Sequence, residues 1–174
     1  MPLPDDTAQI DQRVVIAARP EALFTFCRHF ENLPRFLEHL ESVRVVDDVR
    51  SHWVAKCPSG RRVEWDARIT DELENEMISW ESVVPSDVPH TGAVRFRPAG
   101  GGTEVTVTLR YRRPRGRFAA ALARLFGADP AATIARDLRK LKTLLETPEK
   151  LPKPEPEMAR QREPHTGPGP KDLF

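Results

Sequence analysis

The chain has 174 residues, 39% apolar and 30% charged, with a formal net charge of +1. That length suits one domain with a substantial core, and so even a charge balance exerts no overall pull toward nucleic acid or an anionic surface. No apolar run approaches the roughly 18 residues of a membrane span, and the N-terminal MPLPDDTAQ has no basic start or apolar stretch of a secretory signal. Two cysteines, Cys27 and Cys57, are too few for a disulfide framework, so a reduced, cytoplasmic protein is expected.

Residues 1–6 read as a flexible N-terminus, followed by a short strand around Val14 to Ala18. Pro20 opens a helix, a position where its missing N–H costs nothing. Leu23, Phe26, Cys27 and Phe30 then recur at the spacing of one helical face. Asn32 is placed to cap a second short helix, in which Leu33, Phe36, Leu37 and Leu40 repeat that spacing.

From Ser42 the apolar period drops to two. Val43 and Val45, Trp53, Ala55 and Cys57, Val63, Trp65, Ala67 and Ile69 all alternate with polar residues. So do Ile78 and Trp80, Val94 and Phe96, and Val105, Val107, Leu109 and Tyr111. The turn-forming stretches DDVR, PSGR, DELENE and PAGGG separate these runs, which predicts a meander of antiparallel strands with one apolar face. The helical period returns after GADP, where Ile134, Leu138, Leu141 and Leu145 mark an amphipathic helix. Many strands and one long helix make an α+β arrangement.

The hairpin Arg50 to Ile69, RSHWVAKCPSGRRVEWDARI, carries two tryptophans and several charges. A turn centred on Gly60 sets Cys57 opposite Val63, Ala55 opposite Trp65, Trp53 opposite Ala67, and Lys56 across from Glu64. A slip of one residue would mix Trp53 with Asp66 and waste both apolar sets. The tryptophans therefore face a core, while Glu64, Asp66, Arg95, Arg97 and Arg110 form an outer ladder. Cys57, Ser82 and Tyr111 are the polar groups this parity places inside.

Signatures of common chemistry are absent. The histidines at 29, 39, 52, 90 and 165 lack metal-ligand spacing, and there is no CxxC, nucleophile elbow or P-loop. The glycines 100–102 lie between two strands and do not open a helix, so they read as a turn. Neither cofactor nor metal is expected, and no catalytic residue is assigned.

The order strand, two short helices, antiparallel meander and long C-terminal helix resembles the START-like, or SRPBCC, helix-grip superfamily. The segments FENLPRFLEHLESV, RSHWVAKCPSGRRVEWDARI, ISWES and DLRKLKTLLE resemble its bacterial polyketide cyclase/dehydrase and coenzyme Q-binding branch over about residues 8–146. The resemblance implies a curved antiparallel sheet wrapped around the C-terminal helix and enclosing an apolar cavity, with residues 7–146 as the domain.

The leading functional expectation is binding or transport of a hydrophobic small molecule: a lipid, an isoprenoid quinone or a polyketide-like aromatic. Its lining is expected from Phe24, Phe36 and Leu40 of the helical segments, and from Trp53, Ala55, Cys57, Trp65 and Ala67 of the hairpin. Trp80, Phe96, Val107, Leu109 and Tyr111 would come from later strands, and Ile134, Leu138 and Leu141 from the last helix. One alternative is a cyclase or dehydratase using Tyr111 or Cys57. Another is a regulatory interaction protein using residues 147–174, where seven prolines and two glycines in 28 residues predict a disordered tail. The arginine-rich, acid-free stretch running through Arg112 to Phe118 is the candidate for transient contact with a membrane surface.

Overall fold

The computed structural model describes residues 7–57, 60–86, 88–112 and 129–147. In chain order they form β1 (Thr7–Ile16), α1 (Pro20–Arg28), a 3-10 helix (Phe30–Arg35), β2 (Leu40–Val45), β3 (Arg50–Lys56), β4 (Arg62–Leu73), β5 (Met77–Ser82), β6 (His90–Ala99), β7 (Gly102–Arg112) and α2 (Pro130–Glu146). The strands make one antiparallel sheet in the order β1-β7-β6-β5-β4-β3-β2. This is the α+β helix-grip arrangement: a curved open sheet with a long helix near the C-terminus of the folded part. Breaks in register between Leu40 and Ser42 and between Ile69 and Asp71 help it to curve.

Three local features differ from the sequence expectation. The first strand is twice as long as expected and pairs with β7 from Thr7↔Arg112 to Ile16↔Thr103. Its outward residues Gln9, Asp11 and Arg13 hide the alternation of Ile10, Val14 and Ile16. Two of them find partners across the strand: Thr108 Oγ1 donates to Asp11 at 2.7 Å, and Arg110 Nε donates to Gln9 Oε1 at 2.9 Å.

The second helix is a 3-10 turn that begins at Phe30 and stops at Arg35, so Leu40 lies in β2. Pro34 sits inside it and can donate no backbone hydrogen bond, which disfavours a longer α-helix there. Asn32 does not cap it. Its side-chain amide donates to the Phe26 carbonyl at 3.0 Å, satisfying the end of α1.

The β3–β4 hairpin keeps the expected faces but shifts its pairing by two residues. Trp53 lies opposite Trp65, Ala55 opposite Val63, and Val54 opposite Glu64. The loop is wider than expected: the Cys57 N–H donates to the Arg61 carbonyl at 2.8 Å, and Gly60 adopts φ 86°. Lys56 therefore faces Arg62 and not Glu64. Arg62 instead forms a forked pair with Glu41 of β2, at 2.8 and 2.9 Å. Because the shift is even, inside and outside are preserved. Trp53 and Trp65 are buried, while Glu64 and Asp66 are exposed beside His52.

The helix α2 is capped by Asp129, whose carboxylate accepts from the Ala132 N–H at 3.1 Å, and buries Ile134, Leu138, Leu141 and Leu145 as the periodicity requires. Its far end is clipped to β1. Lys142 Nζ donates to the Val15 carbonyl, and Glu146 accepts from the Ala17 N–H, each at 2.9 Å. The expected tail beyond Thr147 and the basic segment beyond Arg112 lie outside the described residues.

Gly102 marks the tightest backbone approach in this corner, because a Cβ there would sit 2.0 Å from the Ile16 carbonyl oxygen. Gly102→Ala is expected to cost roughly 1–3 kcal/mol in chemical denaturation, since backbone rather than a flexible side chain must yield.

Candidate functional site

Between the sheet and α2 lies an apolar chamber of about 160 Å³. Voids of about 150 Å³ stay dry when lined with hydrocarbon and accept a benzene-sized guest. Of the residues expected to line it, Phe36, Leu40, Trp53, Ala55, Trp65 and Trp80 do so. Val107, Leu109 and Tyr111 of β7 and Ile134, Leu138 and Leu141 of α2 complete that set. Phe24, Cys57, Ala67 and Phe96 are buried but are not part of its lining. The reason is visible for Phe24 and Phe96, which meet edge to face at 6.0 Å where α1 covers β6.

Phe30 organises the aromatic wall. It meets Trp53 edge-on at 5.6 Å and Trp80 at 6.3 Å, while the shifted hairpin register brings Trp53 and Trp65 to 5.8 Å. Trp53 Nε1 donates to Ser51 Oγ at 2.8 Å. Trp80 lies over its cross-strand partner Gly92, where a Cβ would come within 2.2 Å of the indole ring. The absent side chain makes room for the ring.

Sequence reasoning missed three polar members of the wall, His39, His90 and Asp137. His90 alternates inward with Gly92, Val94 and Phe96, so strand parity would have found it. Its Nδ1 lies 2.7 Å from the Val88 carbonyl, which makes Nδ1 the protonated nitrogen; Nε2 is then free to accept from Trp80 Nε1 at 3.4 Å. Burial lowers the His90 pKa, outweighing the Val88 hydrogen bond, and keeps the ring neutral. Cys27 also borders the chamber, but burial pushes its thiol up to about 12, leaving it a poor nucleophile.

Residues 16–139 match the family described as polyketide cyclase/dehydrase and lipid transport. The chain belongs to this family. A Deinococcus radiodurans protein, DR_A0006, is 32% identical, with a TM-score of 0.64 over 80% of this chain and 98% of its own. A Thermus thermophilus protein, TTHA0849, is 25% identical, with a TM-score of 0.63 over 78% of this chain and 95% of its own. The di-domain ARO/CYC StfQ of the steffimycin biosynthetic pathway shares the fold at 16% identity, with a TM-score of 0.60 over 80% of this chain and 51% of its own. An uncharacterised 17.2 kDa protein of Streptomyces lincolnensis is 24% identical over 89 residues, and the match spans 51% of this chain and 58% of that relative's length.

Within this polyketide cyclase/dehydrase and lipid transport domain, Asp137 is the most unusual wall residue. It shares the face of α2 with Ile134, Leu138 and Leu141, at helical spacing that was readable in the sequence. Its side chain is buried; the backbone N–H of Glu38 favours the charged carboxylate, and Oδ1 has no partner among the described residues. Burial raises its pKa from 3.8 to about 6, against the opposing pull of Lys140. The indole N–H of Trp65 is likewise buried without a partner. No described helix is long and apolar enough to cross a membrane, and no described cluster of three or more His, Cys, Asp or Glu could hold a metal.

Two outcomes follow for this wall. A folded-state pKa above the unfolded value favours folding most at low pH, and that contribution disappears as pH rises from about 4 through about 6. Asp137→Asn should therefore gain roughly 1–3 kcal/mol relative to wild type between acid and neutral pH in denaturant titrations, with the gain growing across that window. Gly92→Ala should displace the Trp80 ring, shift the tryptophan emission and cost roughly 1–3 kcal/mol.

Proposed function

We propose that this protein binds a hydrophobic small molecule in the chamber and carries or presents it. The supporting observation is the apolar space walled by Phe30, Trp53, Trp65 and Trp80 beneath α2. Close-packed interiors leave few voids larger than water, so a chamber of this size in a small domain needs an occupant or a reason. Its volume suits a compact ring system, such as a quinone head or a polyketide-like aromatic; a long lipid chain would extend beyond it. Delivery at a membrane surface through the segment Arg112 to Phe118 is the proposed route, and of that segment only Arg112 is among the described residues.

A second reading, cyclase- or dehydratase-type catalysis, draws on the neutral His90 ring and the Asp137 carboxyl bordering the same chamber. Two titratable groups displaced from their ordinary pKa values at one cavity are what acid–base work requires. Cys57 has no part in this reading because it lies off the wall, whereas Tyr111 lies on it.

Native mass spectrometry of the purified protein should show an apolar adduct removed by solvent extraction. Ala55→Leu, on the chamber wall, should weaken binding of an apolar fluorescent probe by about ten-fold or more. Filling a void without overpacking should change stability by less than about 1 kcal/mol. A probe that binds neither protein, together with a variant destabilised by roughly 1–3 kcal/mol, would leave a solid core and no carrier.

A further inference from the structure

We propose that Asp137 is the polar anchor of the chamber, selecting apolar ligands that carry a neutral hydrogen-bond donor such as a hydroxyl. The proposal rests on the binding reading above and specifies the chemistry of the guest. The chamber wall is almost entirely hydrocarbon and aromatic ring, yet α2 turns a carboxylic side chain toward the same apolar face that covers the sheet. Asp137 is only 5% exposed. The backbone N–H of Glu38, in the segment that follows the 3-10 helix, acts on its carboxyl group, while Oδ1 has no hydrogen-bond partner among the described residues. A buried acceptor left open costs free energy that a donor brought by a guest would recover.

The surrounding charge decides which donor. Arg136 and Lys140 lie on α2, and Glu38 and His39 come from the facing segment. Glu38 is ion-paired with Lys140, and with Arg136 at 3.8 Å. Two acids already meet two bases, so an ammonium group would bring surplus positive charge and the cost of its own desolvation. A hydroxyl brings neither. A purely structural role for Asp137, clipping α2 to the Glu38 backbone, needs only one carboxyl oxygen and would show no preference among guests.

Calorimetric titration of the full chain with three matched probes separates these roles: 2-naphthol, its methyl ether 2-methoxynaphthalene, and naphthalene. At about pH 7.5, 2-naphthol is expected to bind about ten-fold more tightly than either of the others, the gain of one hydrogen bond to a charged group. In Asp137→Leu that preference should fall below about two-fold while naphthalene still binds. Should the leucine variant fold poorly, Asp137→Asn and pH supply the second measurement. Lowering the pH of wild type to about 5 protonates the carboxylate and should shrink the preference, whereas the asparagine variant should show no such change. Equal binding of all three probes by wild type overturns the anchor and leaves the apolar chamber standing. A preference that survives in Asp137→Leu overturns it too. Binding of none of the three overturns the anchor and the binding reading together.

Discussion

Seven strands spaced by about 4.8 Å make a sheet roughly 30 Å wide, and a helix with its side chains is only about 10–12 Å across. The described apolar face of this protein is covered by α2, the short α1 and one 3-10 turn. Flat, such a sheet would leave much of that face in water. Curving it around α2 reduces the area to be covered but opens space between helix and strands. Large rings projecting from β3, β4 and β5 fill most of that space, and the unfilled remainder is the chamber. Among the described residues, the aromatic wall and the void both follow from how little helix lies over this face.

That geometry also explains where polar groups are tolerated. Charges on the convex face pair across strands, as Arg68 does with Glu81 at 2.7 Å, and stay near water. On the concave face each polar group needs a specific partner. Ser51 takes the Trp53 indole, Val88 orients His90, and the backbone N–H of Glu38 acts on the Asp137 carboxyl group. Oδ1 of Asp137 and the indole N–H of Trp65 have none among the described residues. Among the described residues such exceptions are few, and the guest proposed above would complete them. An apolar container with a few placed polar groups is the general design of a small-molecule site, in which hydrocarbon supplies affinity and the polar groups supply discrimination.

The fold class was readable because hydrophobic periodicity is local. The change from a helical period to a period of two and back again separates α1, the meander and α2 without knowledge of any contact. The inward face of each strand was equally legible, since side chains alternate strictly and an even shift of register leaves every residue on its own side. That is why Trp53 and Trp65 were placed correctly although their partners were not. Asp137 was legible in principle as well, at the helical spacing of Ile134, Leu138 and Leu141.

Other features required the assembled sheet. The length of β1 depends on ten residues of β7 that lie about a hundred positions away. The pairing of Trp53 with Trp65 depends on the width of the 57–61 loop and on Glu41 absorbing the charge of Arg62. Whether an inward ring lines a void or fills the core, as with Trp80 against Phe96, depends on which helix lies above it. Sequence alone determined the order of elements and the apolar faces, because each follows from residues close in the chain. Only the tertiary structure decided the register, the volume of the chamber and the isolation of the Asp137 oxygen, because these are differences between distant surfaces brought together.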